Sequence, residues 1–451
     1  MIQCVMNMTE KFKSSPPWGI SMKRPSCLSW LLTCMLLASI PVHAADFVLE
    51  IYGNANMDEY LNEEDIQYLE DIIAGKNDKT LLADANFDGK IDSADVEQAQ
   101  AILNGNEEKL TFIDLLGENV TVNKPIKRLV NMGYNGVEMT RILGAEEILV
   151  AYGANRTTHK TFFPKFAELP FVGSTPEDCD FEKILSLNPD AVQTNLERAS
   201  SLVGGLDIKH SFEKNLNDIP IICLNMREQD TLVKNVRTYG YILDREQEAE
   251  TFIDWYSKYY DLFKSRTASI PDNEKPTAFF EYTPYYCYAS GSNLGQVLVM
   301  AGGKNILDQQ IGPDNPKYGS ILDIEPEYVI RENPKYIFKG VGSWDSGYDI
   351  DDPSKMAAFH EQVTNRTELS NIDAIKDDNV YCTSFWILSG AGNNIIGAAY
   401  LAKLFYPDLF EDIDPEAIHQ EYVDKFCHID FDIKKNGTFV YPSYDQWPAK
   451  N

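Results

Sequence analysis

One eleven-residue pattern recurs at an offset of 145 positions, and it constrains the fold more than any other feature of the chain. Glu182-Lys183-Ile184-Leu185-Ser186-Leu187-Asn188-Pro189-Asp190-Ala191-Val192 is answered by Glu327-Tyr328-Val329-Ile330-Arg331-Glu332-Asn333-Pro334-Lys335-Tyr336-Ile337. Each copy reads as a short helix opened by Glu, stopped at Asn-Pro and running straight into a strand, because proline disfavours a helical residue before it. A glutamate in a first helical turn is favoured electrostatically whatever else it does. Two copies imply two equivalent lobes. Between them, residues 231–266 contain no proline and a single glycine, Gly240, and read as a long helical connection.

Short apolar runs alternate with helical patterns around that connection. Leu129-Val130-Asn131-Met132, residues 148–152, Ala191-Val192-Gln193-Thr194 and Ile221-Ile222-Cys223-Leu224 read as buried strands of the first lobe. Residues 277–282, Tyr336-Ile337-Phe338-Lys339 and Val380-Tyr381-Cys382-Thr383 read as strands of the second. The expected fold class is α/β, with βα lobes at 110–230 and 275–447 joined by a long rigid helix at 231–268.

The first 44 residues read as a signal peptide. Lys23-Arg24 gives a positive start, residues 28–40 an apolar stretch too short to span a bilayer, and Val42-His43-Ala44 a small-residue cleavage site. Met22, just ahead of the two basic residues, is a candidate true start. The expected location is outside the cytoplasm: periplasmic, extracellular or at the cell surface. Removing the leader leaves Cys179, Cys223, Cys287, Cys382 and Cys427, a scattered odd set without metal-site spacing. With 69 acidic against 40 basic residues the formal charge is −29, which argues against nucleic acid as a partner.

After the leader, two segments repeat at a period of 30 residues. Calcium takes six to eight oxygens, which a 12-residue loop supplies from positions 1, 3, 5, 7, 9 and 12. The first loop offers Asn54, Asn56, Asp58, the Tyr60 carbonyl, Asn62 and Asp65; the second offers Asp84, Asn86, Asp88, the Lys90 carbonyl, Asp92 and Asp95. Gly89 eases the turn in the second loop, whereas Glu59 stands there in the first, so tighter binding is expected at the second. Each loop is followed by an apolar face at helical spacing: Ile66, Leu69 and Ile73, then Val96, Ala99 and Leu103. Residues 46–109 hold 17 acidic and 4 basic side chains, so folding of this segment is expected to need calcium. A duplicated loop with one helix, closed by Asp instead of Glu, resembles a dockerin domain over residues 46–108. That resemblance implies a cohesin partner, recognised through loop positions 10 and 11. Here those are Glu63-Glu64 and Ser93-Ala94 in place of the familiar Ser-Thr pair.

Residues 110–447 resemble a periplasmic substrate-binding protein of the iron-siderophore, haem or cobalamin type. The resemblance rests on Pro125-Ile126-Lys127-Arg128-Leu129-Val130, Glu138 before Leu143-Gly144-Ala145, and Ala301-Gly302-Gly303-Lys304-Asn305-Ile306. Tyr400-Leu401-Ala402-Lys403-Leu404-Phe405-Tyr406-Pro407 and Asp414-Pro415-Glu416 complete it. It implies the class III two-lobe architecture, no enzymatic activity and no catalytic cofactor. It also implies an ABC permease partner that receives one glutamate from each lobe, at Glu182 and Glu327. The ligand is then expected in the cleft lined by loops after strand C-termini. Tyr134, Tyr152, Arg156, Tyr285, Trp344 and Trp386 are the expected contacts, since flat aromatics suit a corrin, porphyrin or catecholate, and Arg156 or Arg198 suits its carboxylates. Three alternatives stand beside this reading: a surface-tethered binding or sensory protein without transport, a metal-ion binder using His159 and other histidines, and a dockerin-bearing glycoside hydrolase.

Overall fold

The two copies of the repeated motif become equivalent edges of two α/β lobes. The computed structural model describes residues 47–153, 159–194, 202–315 and 317–447; the expected leader, Arg156 and Arg198 lie outside the described residues. Two loop–helix units come first, with α1 (Glu63–Ile73) and α2 (Ser93–Leu103). Both helices open on a reciprocal cap: Asn62 with Asp65, and Asp92 with Asp95. An antiparallel hairpin follows, β1 (Lys109–Ile113) and β2 (Asn119–Asn123).

The N-terminal lobe runs β3 (Leu129–Asn131), α3 (Tyr134–Ile142), β4 (Leu149–Tyr152), α4 (Phe181–Ser186), β5 (Ala191–Thr194), α5 (Leu202–Leu216) and β6 (Ile221–Cys223). Its parallel sheet has the order β4-β3-β5-β6. These strands read as continuous apolar runs because both sheet faces are covered.

The connection departs from the expected single rigid helix. It is two helices, α6 (Gln229–Leu243) and α7 (Glu246–Thr267), separated where Asp244 takes a left-handed φ of 57°. Gly240 marks their close crossing, where a methyl group would stand 2.7 Å from Ala249 Cβ. Helix α6 packs into the main core through Leu232, Val236 and Tyr239, and α7 is the long element, at 22 residues.

The C-terminal lobe contains β7 (Thr277–Thr283), β8 (Tyr286–Tyr288), α8 (Asn293–Met300), β9 (Lys304–Asn305), β10 (Ile321–Asp323), α9 (Pro326–Glu332) and β11 (Tyr336–Val341). It continues with α10 (Ser354–Thr364), α11 (Asp373–Lys376), β12 (Val380–Ser384), α12 (Asn394–Phe405), α13 (Pro415–Tyr422) and β13 (Val440–Tyr441). The sheet order is β10-β8-β7-β11-β12-β13, with β9 beside β7. Strands β7, β11 and β12 are parallel, while β8, β10 and β13 pair antiparallel.

The loop–helix units are not a separate bead on the chain. Leu49, Ile51, Leu61 and Ile102 belong to the same buried cluster as Leu110, Phe112, Val120 and Val122 of the hairpin. Residues from 47 onward accordingly form one compact unit. All five cysteines outside the leader are unpaired. Among the described residues no helix is long and apolar enough to cross a membrane.

Candidate functional site

The lobes meet where α3 and the segment after β4 face loops of the C-terminal lobe. Glycine at position 133 precedes α3, so Tyr134 starts the helix at the C-terminal end of β3. Its hydroxyl donates to the Ser389 carbonyl across the lobe boundary. One helical turn on, Glu138 is fully buried and collects three donors from the other lobe. These are the Tyr422 hydroxyl at 2.5 Å and Asn393 Nδ2 at 3.4 Å on Oε1, and the Ala391 N–H at 3.1 Å on Oε2. Further out, Asp349 accepts from the Thr161 N–H at 3.0 Å and lies 2.9 Å from His159 Nδ1.

Aromatic rings fill the space between these polar contacts. His159 lies between Trp344, at 4.3 Å between centroids, and Trp386, at 5.3 Å. Behind them Phe162 stacks on Tyr348 at 4.4 Å and leans on Trp386 at 4.8 Å. Arg141 covers Phe162 and Phe163 at 4.3 and 4.9 Å. Burial holds His419 well below its usual range, at about 3, and its Nε2 shares a hydrogen bond with the Tyr348 hydroxyl at 2.8 Å. Trp386 is 1% exposed and forms the floor of this region, whereas Trp344 is 64% exposed and forms its rim.

Three of the six expected ligand contacts belong to these two facing walls: Tyr134 joins the lobes, and Trp344 and Trp386 flank His159. Tyr152 ends β4 with its ring 5.8 Å from Phe171 of its own lobe. Tyr285 keeps other company. Its hydroxyl donates to Glu368 at 2.6 Å and its ring lies under Arg366, so its partners are the Glu281–Arg366 ion pair and its neighbours, not the interlobe aromatics. Arg156 is outside the described residues. Sequence reasoning did not single out Phe162, Phe163, Asp349, Ser389 or Asn393. The adjacent Phe162-Phe163 pair, in the loop ten residues beyond the end of β4, was the available signal. A separate recess, about 700 Å³, lies along α13 and is lined by Glu416, Gln420, Asp424, Asp430 and Lys434. It is an acidic surface groove away from the strand ends, so the interlobe face is the better site on chemical grounds.

Glu182 and Glu327 stand exposed in the first turns of α4 and α9. Ile184 and Val329, two residues on in each copy, are buried, and each helix ends on a left-handed asparagine, Asn188 at φ 46° and Asn333 at φ 45°. Each following strand is tied in alike: the Asp190 N–H donates to Arg128 O at 2.8 Å, and the Lys335 N–H to Thr277 O at 2.9 Å. The offset of 145 residues is thus repeated in three dimensions, and both glutamates face solvent from equivalent edges.

The two 12-residue loops share one hydrogen-bond pattern. The N–H of position 3 donates to the position-12 carboxylate (Asn56 to Asp65 at 3.1 Å, Asn86 to Asp95 at 3.2 Å). The N–H of position 9 reaches the other oxygen of the same carboxylate, at 2.9 and 2.7 Å. Position 4 is left-handed in both, Met57 and Phe87. Gly89 is left-handed at position 6, while Glu59 at that position of the first loop is not, so the loops differ where the sequence differs. Burial pushes the Asp65 carboxyl up to about 6 and raises Asp95 as well. Asn54, wholly buried, donates through Nδ2 to Leu49 O and Asp58 O, leaving Oδ1 without a hydrogen-bond partner. A buried acceptor without a donor fits a cation. Among the described residues, no three His, Cys, Asp or Glu side chains converge to hold a metal by themselves.

Residues 130–385 match the family model described as periplasmic binding protein. An ABC transporter substrate-binding lipoprotein of Bacillus subtilis, YvrC, is 23% identical over 310 residues, spanning 67% of this chain and 87% of its own. The molybdate-binding protein MolA of Haemophilus influenzae is 19% identical, spanning 69% and 89%. Among solved structures, the TroA-like periplasmic binding protein FepB of Veillonella parvula superposes with a TM-score of 0.58 at 22% identity, covering 73% of this chain and 98% of that one. A family match across more than half of the chain, on two lobes with the same architecture, makes this chain a member of the periplasmic binding protein family, an extracytoplasmic substrate-binding component of an ABC transporter.

Proposed function

We propose that this binding protein carries a large flat chelate to its permease: an iron–siderophore complex, haem or a corrinoid. The family binds and delivers and does not catalyse. The observation that carries the proposal is the aromatic interlobe surface, with Trp344 exposed at its rim over His159 and Trp386 beneath. Flat rings offer area at little conformational cost, which suits a planar ligand. Titration with cobalamin, haem, a ferric siderophore and molybdate, followed by tryptophan fluorescence, tests it. Saturable quenching by one of the first three supports the proposal. Quenching by molybdate alone replaces it with the second reading, a small oxyanion cargo, which the likeness to MolA favours.

On this reading Glu182 and Glu327 are the permease contacts, one on each lobe. Glu182→Lys and Glu327→Lys should each lower cargo uptake by about tenfold, because like charges placed against the permease's cations repel, while ligand affinity and melting temperature stay unchanged. Uptake at the wild-type rate by the double variant would remove these residues from the interface.

The segment 46–108 is read as a dockerin-like module, with calcium held in the first loop by Asn54, Asn56, Asp58, Tyr60 O, Asn62 and Asp65. Asp84, Asn86, Asp88, Lys90 O, Asp92 and Asp95 would hold it in the second. What supports it is the shared loop geometry and the orphaned Asn54 Oδ1. A cohesin-bearing envelope protein is the proposed partner, tethering the receptor. A calcium-dependent pull-down from host envelopes that recovers no cohesin would reject the tether.

A further inference from the structure

The two loops occupy different surroundings. In the second, residues 86–90 are exposed throughout. Positions 2 and 12 are buried in both loops, but in the first Asn54 and Leu61 are buried where Asp84 and Ile91 are only half-buried, residues 56–59 are half-buried, and the loop is pinned against helix α6. The Glu59 carbonyl, at position 6, accepts from Arg237 Nη1 at 3.2 Å, and the Leu61 carbonyl, at position 8, accepts from the Tyr241 hydroxyl at 3.3 Å. These two bonds bracket the Tyr60 carbonyl, which is the calcium ligand of position 7. The Arg237 guanidinium lies over the Tyr60 ring at 4.4 Å and is itself locked by a two-pronged ion pair to Glu250 on α7, at 2.5 and 3.0 Å. On the other side, residues just before the loop add to the β1–β2 hairpin. The Tyr52 N–H donates to Thr111 O at 3.0 Å, the Ile113 N–H donates to Glu50 O at 2.9 Å, and Ile51 bridges Phe112.

We infer that the two calcium loops have different jobs: the first is a structural clamp joining the loop–helix unit to α6 of the connection between the lobes, and the second is a solvent-facing, exchangeable site. The inference rests on the calcium reading above. Its chemistry follows from the geometry, since a cation held by Asn54 Oδ1 and the Tyr60 carbonyl fixes the backbone whose neighbouring carbonyls grip α6. Among the described residues the second loop makes no hydrogen bond to α6 and meets its surroundings through Phe87, whose ring lies 4.8 Å from Tyr52, so its ion grips no helix of the binding lobes directly.

Tryptophan distribution makes the clamp measurable. Between residues 47 and 447 the tryptophans are Trp255, Trp344, Trp386 and Trp447, all in the binding lobes or α7, so a melt followed by tryptophan fluorescence reads the lobes and not the loop–helix unit. The full protein, Asp58→Asn in the first loop and Asp88→Asn in the second are compared, with calcium stoichiometry from calorimetry in parallel. Asp58 is part-buried and Asp88 exposed, so both substitutions are mild. Saturating calcium should raise the tryptophan melting temperature by on the order of 5 °C in wild type and in Asp88→Asn. That shift should vanish in Asp58→Asn, while each variant loses one bound calcium. Tyr241→Phe, which leaves both loops intact, should shrink the shift without changing stoichiometry. Two bound calcium ions with no tryptophan shift, or an equal loss of shift in both loop variants, overturns the clamp and leaves the calcium sites standing. No bound calcium overturns the calcium reading itself and the clamp with it.

Discussion

Arg366→Met should lower the unfolding free energy by about 3–5 kcal/mol, because it strands a buried carboxylate. Glu281 is completely buried on β7, and Arg366, just beyond α10, meets it with two prongs at 2.6 and 2.8 Å. Without the guanidinium, Glu281 retains the Tyr285 N–H at 3.2 Å as a donor. Its neighbours across the sheet in register, Lys339 and Cys287, are buried as well. Burial lowers the Lys339 pKa more than the nearby Glu281 charge raises it, so Lys339 is a poor replacement cation. Replacing both partners, Glu281→Met with Arg366→Met, should restore much of the lost stability, since removing both charges removes the desolvation cost too. Urea melts with an unchanged m-value give both numbers. A single variant that costs under about 1 kcal/mol would mean that Lys339 takes over the pairing.

That ion pair also shows which parts of the molecule are legible in sequence. The repeated edge motif was readable because it is local: a helix start, an Asn-Pro stop and a strand within eleven residues, and α4-β5 and α9-β11 follow it closely. The loops at 54–65 and 84–95 were readable for the same reason, their shared turn and hydrogen-bond pattern being set by local spacing. Glu281 and Arg366 are 85 positions apart, and nothing near either marks the other. The interlobe face is intermediate. Trp344 and Trp386 were legible as aromatics in loops after strands, but the His159–Asp349 contact beside them and the buried Glu138–Asn393–Tyr422 set depend on how one lobe settles on the other. The break between α6 and α7 was hidden because Asp244-Arg245 carries neither proline nor glycine; the left-handed turn is taken by an aspartate, one of the few residues that tolerates it. Tyr285 was misleading in a different way. It lies in the β7–β8 turn with a left-handed φ of 61°, a loop position that resembles a ligand contact in sequence but is occupied by the Arg366 cluster.

Gly347→Ala should weaken cargo binding by at least about tenfold, equivalent to some 1.4 kcal/mol, and should destabilise the fold as well. Two independent constraints act at this residue. Its φ of 100° is a conformation that side chains rarely adopt, and a methyl group there would lie 1.8 Å from Trp386 Cδ1 and 2.3 Å from Nε1. The backbone is not free to move away, because Gly347 exchanges hydrogen bonds with Thr438 at 2.7 and 3.1 Å. Trp386 must then leave the position in which it packs on Phe162 and under His159, which removes the floor of the interlobe site. Strain at such a φ costs about 1–3 kcal/mol and forcing a packed ring aside costs a similar amount. The same methyl introduced in a Trp386→Ala background should cost only the backbone part, and the difference between the two backgrounds isolates the ring contact. Gly342→Ala is the matched control five residues earlier: nothing lies within 4 Å of its added methyl, and its backbone is not left-handed, so neither binding nor stability should change. Equal effects of Gly347→Ala with and without the indole would show that Trp386 is not held by this glycine. Full cargo affinity in Gly347→Ala, alongside a shifted tryptophan spectrum, would remove Trp386 from the ligand site.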